Sequence, residues 1–337
     1  MSVQVRAAAL SNYAEVARQL ALDPSRMLRE AGLSAAVLSN PDMRVPATRV
    51  VRLLEASADR SGCLTFGLRM AEARRLSDLG ALSLLITHQP TLRDVLVLIG
   101  RYRSLLNEAL TIDVQDSRDL VIVREELVTE RRLPARQADE LAVGTMFRMF
   151  RTLLGPPWHP HGVNFTHAAP PDRRVHRRVF GLDVEFDSEF NGIVCAAADL
   201  DRPNPRADPV MARYARQFLD TLPRAEPGST TLDTRKAIYM LLPVGKASSG
   251  DIARSLGFNV RTLQRRLDGE RTSLSALVNG VRRDLAVRYL SNPGYSLSQI
   301  GELLGYGQLS SFTRWFVAQF GVAPTRWRAR RTPRRGR

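Results

Sequence analysis

The segment Ser249–Leu267, SGDIARSLGFNVRTLQRRL, decides the architecture of the last third of the chain. Ser249 is placed to cap a first helix, and Gly257 follows it where a left-handed residue would let the chain turn sharply. Asn259 is placed to cap a second helix. The apolar residues that would face the core recur at helical spacing: Ile252, Ala253, Leu256, Leu263 and Leu267. The spacing predicts a helix-turn-helix.

A second segment, Ser298–Phe316, with the sequence SQIGELLGYGQLSSFTRWF, repeats this pattern. Seven of its residues match residues of the first segment at an offset of 48 or 49: Ile300, Leu304, Gly305, Tyr306, Phe312, Arg314 and Phe316. A duplicate at a fixed offset is harder to obtain by chance than a single pattern, which favours a second helix-turn-helix over generic hairpins in an all-α core. We therefore predict two helix-turn-helix units, at 249–267 and 298–316.

Positive charge is concentrated in the same part of the chain. The net charge is +15; residues 229–337 hold 19 Lys and Arg against 6 Asp and Glu, whereas residues 1–228 hold 30 against 28. GC-rich coding, which raises arginine content, would act on both parts alike. A globular segment this basic is expected to bind a polyanion, because neutralising phosphates releases condensed counterions.

The second helix of the first unit is expected to present Arg261, Gln264 and Arg265 outward. In the major groove arginine pairs bidentately with guanine and glutamine with adenine, so we expect these three residues to contact bases. Other arginines suit DNA phosphates or simply a solvated face: Arg254, Arg266, Arg271, Arg282, Arg283, Arg326 and the tail 328–337.

The segment between the two units, Leu274–Leu290, carries a single apolar stripe. It predicts one continuous helix of roughly 25 Å. Successive major grooves on one face of B-DNA lie about 34 Å apart. One chain could therefore place its two units in adjacent grooves without a symmetric partner.

The first 222 residues predict an α+β domain, because helical and strand patterns occur in separate segments. Amphipathic stretches predict four main helices: Thr48–Arg60, Thr91–Asn107, Pro134–Leu154 and Asp208–Leu222. Leu110–Val114 and Leu120–Val123 flank the polar segment Gln115–Asp119, which predicts a β-hairpin. Shorter strands are predicted at Val163–Thr166, Val184–Phe186 and Ile193–Ala197.

Residues 222–229, LPRAEPGS, contain two prolines and a glycine without an apolar period, which indicates a linker. The expected organisation is an α+β domain over 1–222, a linker over 223–230, and an all-α domain over 231–337. The all-α domain holds the two helix-turn-helix units joined by the long helix.

The C-terminal segment resembles the AraC/XylS family of bacterial regulators over about Thr231–Arg330. The resemblance rests on IARSLGFNVRTLQRRL at 252–267, RRDLAVRYL at 282–290 and IGELLGYGQLSSFTRWFVAQFGVAPTRWR at 300–328. Gly321, Pro324 and Arg328 stand where the family's closing G-x-x-P-x-x-x-R lies.

The resemblance implies which residues contact bases. For the first recognition helix these are the three residues expected above from their chemistry, and for the second they are Leu309, Ser310, Thr313 and Arg314. Gly301 stands where the family usually has alanine, and Gly307 with Gln308 and Leu309 gives an unusual entry to the second recognition helix. The first helix is therefore the stronger candidate for base contacts, and the second for phosphate contacts.

The N-terminal part resembles the sensor domain of a subgroup that includes ornithine-utilisation and mycobacterial virulence regulators, not the cupin sensor of the arabinose regulator. The resemblance lies in residues 79–102, 163–170 and 180–191. It implies a sequence-specific transcription factor that responds to a small-molecule effector and activates promoters. The partners expected are double-stranded DNA, RNA polymerase and a second copy of the chain in a homodimer, with no cofactor.

An enzyme is the main alternative from another class. His159, His161 and His167 could be drawn as a metal site, but the prolines around them suggest a surface loop and no helical metal-ligand spacing is present. Cys63 and Cys195 lie in no recognisable nucleophile motif and are too few for a disulfide framework. The sequence predicts no catalytic site and no metal.

A DNA-architectural protein or a recombinase is the second alternative, and the near-neutral N-terminal domain of 222 residues argues against it. The N-terminus lacks the apolar region of a signal peptide, and no apolar run approaches the roughly 20 residues of a membrane helix. We expect a cytoplasmic, nucleoid-associated protein.

Overall fold

The computed structural model describes residues 2–130, 133–222 and 229–331. The chain folds as two compact units, residues 1–227 and residues 228–337, called here the N-terminal unit and the C-terminal unit. Residues 223–228 of the predicted linker lie outside the described residues, as do residues 332–337 of the basic tail. Thr230, placed in the predicted linker, is already the first residue of a helix that Ser229 caps.

The N-terminal unit contains helices of very different length. Its α-helices are α1 (Tyr13–Gln19), α2 (Pro24–Glu30), α3 (Ala47–Ser61), α4 (Phe66–Glu72), α5 (Leu82–Thr87), α6 (Leu92–Leu106), α7 (Arg136–Leu154), α8 (Arg174–Phe180), α9 (Ala197–Leu200) and α10 (Pro209–Thr221). Short 3-10 helices span Ala7–Leu10, Ala35–Leu38 and Leu76–Leu79. All four main helices expected from the amphipathic pattern are present within a few residues of their predicted ends.

Helix α7 runs through the core of this unit and packs closely on α4. A Cβ atom on Gly67 would lie 1.9 Å from the carbonyl oxygen of Gln137, and one on Gly144 would lie 2.6 Å from the Cβ atom of Ala71. Both positions therefore require glycine, because any side chain would push the two helices apart.

Two antiparallel sheets complete the N-terminal unit. Strands β1 (Gln4–Arg6) and β2 (Arg44–Pro46) form a small ribbon. Strands β3 (Leu110–Ser117), β4 (Leu120–Leu127), β5 (Gly162–Asn164) and β6 (Asn191–Ala196) form a sheet in the order β3-β4-β6-β5. The described strands thus make a four-stranded and a two-stranded sheet rather than the eight-stranded double sheet of a cupin jelly roll. The α+β fold class is confirmed.

Two details of the predicted strands are wrong. The polar segment 115–119 is not a turn: β3 continues to Ser117, and only Arg118 and Asp119 connect it to β4, with Arg118 at a φ of +55°. Because β3 is an edge strand, its polar end faces solvent without leaving the sheet. Val184–Phe186 is not a strand either, and contributes a single parallel bridge between Asn164 and Glu185.

The described residues of the C-terminal unit form helices joined by turns and short loops, with no strand among them. The helices are α11 (Thr230–Leu241), α12 (Ser249–Ser255), α13 (Val260–Gly269), α14 (Leu274–Ser291), α15 (Leu297–Leu303), α16 (Leu309–Phe320) and α17 (Pro324–Arg331). The single helix α14, expected over Leu274–Leu290, is confirmed, and it buries Leu277, Val281 and Leu285 along one face. The unit is an all-α domain with two helix-turn-helix units joined by a long helix.

Candidate nucleic-acid interface

The first helix-turn-helix consists of α12, the turn at Gly257, and α13. The cap of α12 is Ser248, whose Oγ accepts a hydrogen bond of 3.1 Å from the amide of Asp251; Ser249, the expected cap, is the first residue of the helix. Gly257 has a φ of +72°, as the sharp turn requires. The Oδ1 atom of Asn259 accepts a 2.8 Å hydrogen bond from the amide of Thr262 and caps α13.

Helix α13 places its polar residues opposite its buried ones. Leu263 and Leu267 are fully buried, and at 3.6 residues per turn Arg261, Gln264 and Arg265 fall on the outer part of the helix. All three are exposed. Within the part of the chain that the structure describes, they make no hydrogen bond or ion pair, so their guanidinium and amide groups are free to bind an external partner.

The second helix-turn-helix has the same framework and a different surface. Helix α15 begins with a capping box in which Ser296 and Gln299 bond each other's backbone, and Gly305 has a φ of +77°. Phe312 and Phe316 are fully buried beneath α16. The expected base-contacting residues point away from this core to different degrees: Leu309, Ser310 and Arg314 are exposed, and Thr313 is half-buried.

Equivalent positions stabilise each helix-turn-helix internally, but with different side chains in the two units. In the first unit the guanidinium of Arg266 lies 4.4 Å from the ring centroid of Phe258. In the second the equivalent pair is aromatic, with Tyr306 and Trp315 at a centroid distance of 5.7 Å. The indole Nε1 of Trp315 also donates a 3.1 Å hydrogen bond to Asn279 on α14. Each recognition helix is thus fixed on its scaffold, α16 more extensively than α13.

Arg282, which the sequence predicted to contact a phosphate, makes intramolecular contacts instead. Its Nε donates a 3.0 Å hydrogen bond to the carbonyl of Leu304, and its guanidinium lies 4.7 Å from the centroid of Tyr306. The side chain is half-buried against the turn of the second helix-turn-helix. We assign Arg282 to positioning that turn, a role invisible in the sequence because Leu304 and Tyr306 lie more than 20 residues away.

The remaining expected phosphate-contacting residues are exposed: Arg254, Arg266, Arg271, Arg283 and Arg326. Arg254 pairs with Asp251 one turn earlier on α12, at 2.9 Å, and both groups are open to solvent. A pair of this kind contributes little and is readily exchanged for a phosphate. Arg328 differs from these residues, because it is half-buried and burial lowers its pKa.

Polar contacts fasten the two helix-turn-helix units to each other through α11 and α14. The hydroxyl of Tyr239 donates a 2.6 Å hydrogen bond to Asp284, and the guanidinium of Arg235 lies 3.6 Å from the same carboxylate. Because α11 packs against α12 and α13, and α14 leads into the second unit, these contacts tie the first helix-turn-helix to the helix that carries the second.

A carboxylate at the end of α13 caps the start of α11. Glu270 accepts hydrogen bonds from the Ser229 hydroxyl at 2.5 Å and from the amides of Thr230 and Thr231 at 2.7 and 3.0 Å. Partial burial alone would raise the pKa of Glu270, but the hydrogen bonds from Ser229, Thr230 and Thr231 outweigh it and lower the pKa to about 2.

The histidines of the N-terminal unit are not gathered into a metal site. Among the described residues, no group of three or more histidine, cysteine, aspartate or glutamate side chains could hold a metal ion. His176 instead bonds the buried carboxylate of Glu140, with 3.1 Å between Nε2 and Oε1, and His167 stacks on Phe165. Burial lowers the pKa of His167. Across the described ranges, no helix combines the length and apolar character needed to cross a membrane.

Comparison with known proteins identifies both units. Residues 22–204 match the family model described as the arabinose-binding domain of AraC transcription regulators, and residues 252–330 match a helix-turn-helix domain model. The chain belongs to the AraC family of transcription regulators. The second model covers both recognition helices and the long helix between them.

Relatives of the AraC family match nearly the whole chain. The HTH-type transcriptional regulator VirS of Mycobacterium tuberculosis is 34% identical over 96% of this chain and 96% of its own. The ornithine utilization regulator of Pseudomonas aeruginosa is 24% identical over 93% and 91%. The crystal structure of the transcriptional regulator CdpR from Pseudomonas aeruginosa aligns over 93% of this chain and 97% of that chain, with 20% identity and a TM-score of 0.44.

The two family models and the two sequence relatives confirm the expected family, including the resemblance to the ornithine-utilisation and virulence regulators. The chain is an AraC-type, ligand-responsive, DNA-binding transcription regulator, and AraC-family proteins are in general not enzymes. Two further residues that the sequence did not single out, Asp268 and Val317, occupy equivalent exposed positions on α13 and α16. These two residues are 49 positions apart, as are Arg265 and Arg314, so the repeat itself could have indicated that they are equivalent.

Proposed function

We propose that α13 contacts base edges in one major groove through Arg261, Gln264 and Arg265, and that α16 enters the next groove. The observation that carries this proposal is the placement of these three unpaired polar side chains opposite the buried Leu263 and Leu267. A helix held by its apolar side and offering arginine and glutamine on the other has the groups that direct readout requires. On α16 the proposed contacts come from Leu309, Ser310, Thr313 and Arg314.

Phosphate contacts are proposed for the exposed arginines around the two recognition helices: Arg254, Arg266, Arg271 and Arg283. Arg266 can reach a phosphate only with the N–H groups of its guanidinium that stacking on Phe258 leaves accessible. Arg282 is left out because the carbonyl of Leu304 and the ring of Tyr306 already occupy it. Contacts of this kind fix register and orientation without selecting sequence.

The spacing supports occupation of two grooves by one chain. Helix α14 has 18 residues, which corresponds to roughly 27 Å. Recognition helices at its two ends suit grooves that repeat about every 34 Å along one face of the duplex. A functional monomer on an asymmetric site is therefore the default, and a homodimer would extend the site to a second pair of grooves.

Regulation is proposed to begin in residues 1–222, where a small-molecule effector binds, and to reach the promoter through the DNA-binding domain at 231–337. We propose activation by contact with RNA polymerase, on chromosomal DNA in the cytoplasm.

Homodimer formation is supported by an exposed apolar stripe on α10, formed by Val210, Met211, Tyr214 and Phe218. Soluble monomers rarely expose several large apolar side chains on one face, and sedimentation of the full chain with and without Phe218→Lys tests this part.

The experiment for base contacts needs the cognate site, which genome-wide mapping of bound DNA supplies. On that site Gln264→Ala and Arg265→Ala should each cost about 1–3 kcal/mol of binding free energy, because each removes one bidentate base contact. Binding to random DNA should barely change. Arg271→Ala is the matched control and should weaken both by the same factor. Equal losses on cognate and random DNA for Arg265→Ala would refute the assignment, and protection of many unrelated sites would indicate an architectural protein.

A further inference from the structure

The N-terminal unit contains a cavity of about 180 Å³. Its walls come from one face of the β3-β4 hairpin and from the helices α3, α6 and α7, with the 3-10 helix at Leu76–Leu79 at one end. Most lining side chains are apolar, including Val51 and Leu54 on α3 and Met146 and Met149 on α7. A cavity of roughly 150 Å³ in a protein core is large enough to hold benzene, so this one has room for a small organic molecule.

The strand register explains why one acidic side chain lies in this apolar wall. Glu125 on β4 is paired with Ile112 on β3, and Leu127 is paired with Leu110. All four residues line the cavity, because directly opposed residues of an antiparallel pair share a face. Glu125 is only 2% exposed. The sheet therefore places a carboxyl group where its neighbours predict an apolar residue.

Glu125 has no partner among the residues that the structure describes. No hydrogen bond or ion pair reaches its carboxyl group, and the charged groups that influence it most are two further carboxylates, Asp139 and Glu126. Burial, followed by these like charges, raises the pKa of Glu125 well above its ordinary value. Burying a polar group without a hydrogen-bond partner is costly, so a donor supplied from outside would be stabilised strongly at this point.

The other charged groups of the wall have partners within the protein. The guanidinium of Arg6 binds Asp42 at 2.6 Å. The carboxylate of Asp78 accepts from the amide of Arg75 at 3.0 Å and lies 4.0 Å from Arg74. Arg74 donates to the carbonyls of Ala8 and Ala9, and its Nε has no hydrogen-bond partner among the described residues. Among the polar lining residues, Thr145 donates to the carbonyl of Leu141, and Asn107 accepts from the amide of Ala109. Glu125 is thus the lining carboxylate without a hydrogen bond or ion pair among the described residues, and what it lacks is a donor or a positive charge. Among the lining residues that the structure describes, the Nε of Arg74 is the site where an anionic ligand could compete, and a carboxylate probe tests this.

We propose that this cavity binds a small apolar amine, whose ammonium group pairs with Glu125 while its hydrocarbon body lies against α3 and α7. By comparison with the benzene-sized cavity, the ligand has about six to ten non-hydrogen atoms. The inference rests on the proposed function, since such an amine would be the effector or a close analogue of it. The size and charge of the site, rather than the family, select this ligand class.

Calorimetry on the full-length protein tests the proposal with three probes of similar size: phenethylamine, 2-phenylethanol and phenylacetate. Cyclohexylamine and n-hexylamine extend the amine set to other shapes. We expect an amine to bind at least about tenfold more tightly than the alcohol, and phenylacetate to bind most weakly. Equal binding of amine and alcohol, preference for phenylacetate, or no binding of any amine at millimolar concentration overturns the proposal.

Two substitutions locate the binding. Glu125→Gln keeps the shape but removes the charge, so the amine should lose at least about tenfold in affinity while the alcohol changes less than about threefold. Ala142→Leu fills the cavity and should abolish binding of every probe with Glu125 still in place. Glu189→Gln, at an exposed carboxylate outside the cavity, should leave all affinities unchanged. Retention of amine affinity in Glu125→Gln would contradict the pairing, and thermal unfolding verifies that each variant is folded.

DNA footprinting separates this inference from the proposed function. Amine binding that depends on Glu125 but leaves promoter occupancy and transcription unchanged would support the site and contradict its role as the effector site. If no amine binds but DNA binding is still regulated by another effector, the proposed function stands and the assignment of an amine ligand is contradicted.

Discussion

The two helix-turn-helix units have the same framework but differ in their exposed hydrogen-bonding groups and in the residues that anchor the second helix. The first offers Arg261, Gln264 and Arg265 on a helix that rests on two leucines and is capped by Asn259. The second offers Ser310, Thr313 and Arg314 on a helix without a side-chain cap, which rests on Phe312 and Phe316 within a larger aromatic cluster. The first unit therefore has more hydrogen-bonding groups for base edges, and the second has the stronger anchor.

This difference indicates that duplication left the fold constant while the surfaces diverged. The apolar positions and the turn glycines of the two units still match at offsets of 48 and 49. Among the outward positions Arg265 and Arg314 still match, but Asp268 in the first unit corresponds to Val317 in the second. Base recognition should accordingly depend mainly on the first unit, and rigidity of the pair mainly on the second.

The largest expected effect concerns the aromatic anchor. Phe316 contacts Phe320 at a centroid distance of 4.3 Å and also packs against Phe312 and Trp327. Phe316→Ala should cost about 3–5 kcal/mol of unfolding free energy, because it removes a fully buried ring and leaves a cavity. Leu267→Ala, at the equivalent position of the first unit, should cost less. Urea unfolding followed by tryptophan fluorescence measures both, and hydrogen exchange localises the loss; a larger cost for Leu267→Ala would reverse the comparison.

The next effect separates the two recognition helices on DNA. Arg265→Ala should cost about 1–3 kcal/mol on the cognate site. Arg314→Ala, at the equivalent position, should lower the preference for cognate over random DNA less, because α16 offers fewer hydrogen-bonding groups to base edges than α13 does. Fluorescence anisotropy at fixed salt gives, for each variant, the ratio of its affinities for cognate and random DNA. Loss of sequence preference in Arg314→Ala equal to that in Arg265→Ala would show that the second unit selects bases as strongly as the first.

Much of the C-terminal unit could be predicted because its signals are local. Gly257, Asn259 and the leucine spacing of α13 all lie within a segment of 19 residues and each acts through its own helix. The cap of α12 was misplaced by one residue because Ser248 and Ser249 are adjacent and chemically equal. The role of Arg282 could not be predicted, since it depends on tertiary contacts with Leu304 and Tyr306.

The N-terminal unit shows the same limit more strongly. Its long helices follow from amphipathic periodicity, but the cavity exists only because β3 and β4 pair in one register and α3 and α7 pack over that face. The sequence does contain one indication of Glu125: it is an acidic residue at an alternating position of β4, on the same face as the buried Val121 and Val123. Alternation alone does not say whether such a residue is exposed at a strand end or buried without a partner.

A smaller effect is expected from the cap that links α13 to α11, which the second unit lacks because Gln319 stands at the equivalent position of Glu270. Glu270→Gln should cost about 1 kcal/mol at pH 7, since it weakens three hydrogen bonds to a solvent-exposed carboxylate. The folded-state pKa of about 2 lies below the ordinary 4.5. The stabilisation is therefore complete above about pH 4.5 and is lost as the pH falls towards 2.

Urea unfolding of the wild type and Glu270→Gln at several pH values checks this sign. The difference in unfolding free energy should stay constant from pH 8 to 5 and shrink between pH 4.5 and 2. Glu302→Gln, at an exposed carboxylate on α15, should change neither the free energy nor its pH dependence. A difference that persists unchanged at pH 2.5 would mean that Glu270 acts through packing rather than through its charge.

The smallest effect compares the N-termini of the recognition helices. Asn259→Ala removes the 2.8 Å hydrogen bond to the amide of Thr262 and should cost about 0.5–1 kcal/mol of unfolding free energy. Gln308→Ala should cost less, because the side chain of Gln308 caps nothing. Hydrogen exchange at the first turns of α13 and α16 resolves the two effects, with faster exchange expected only in Asn259→Ala. Equal costs would show that α16 gains an N-terminal partner in solution, and the second unit would then depend on its cap as the first does.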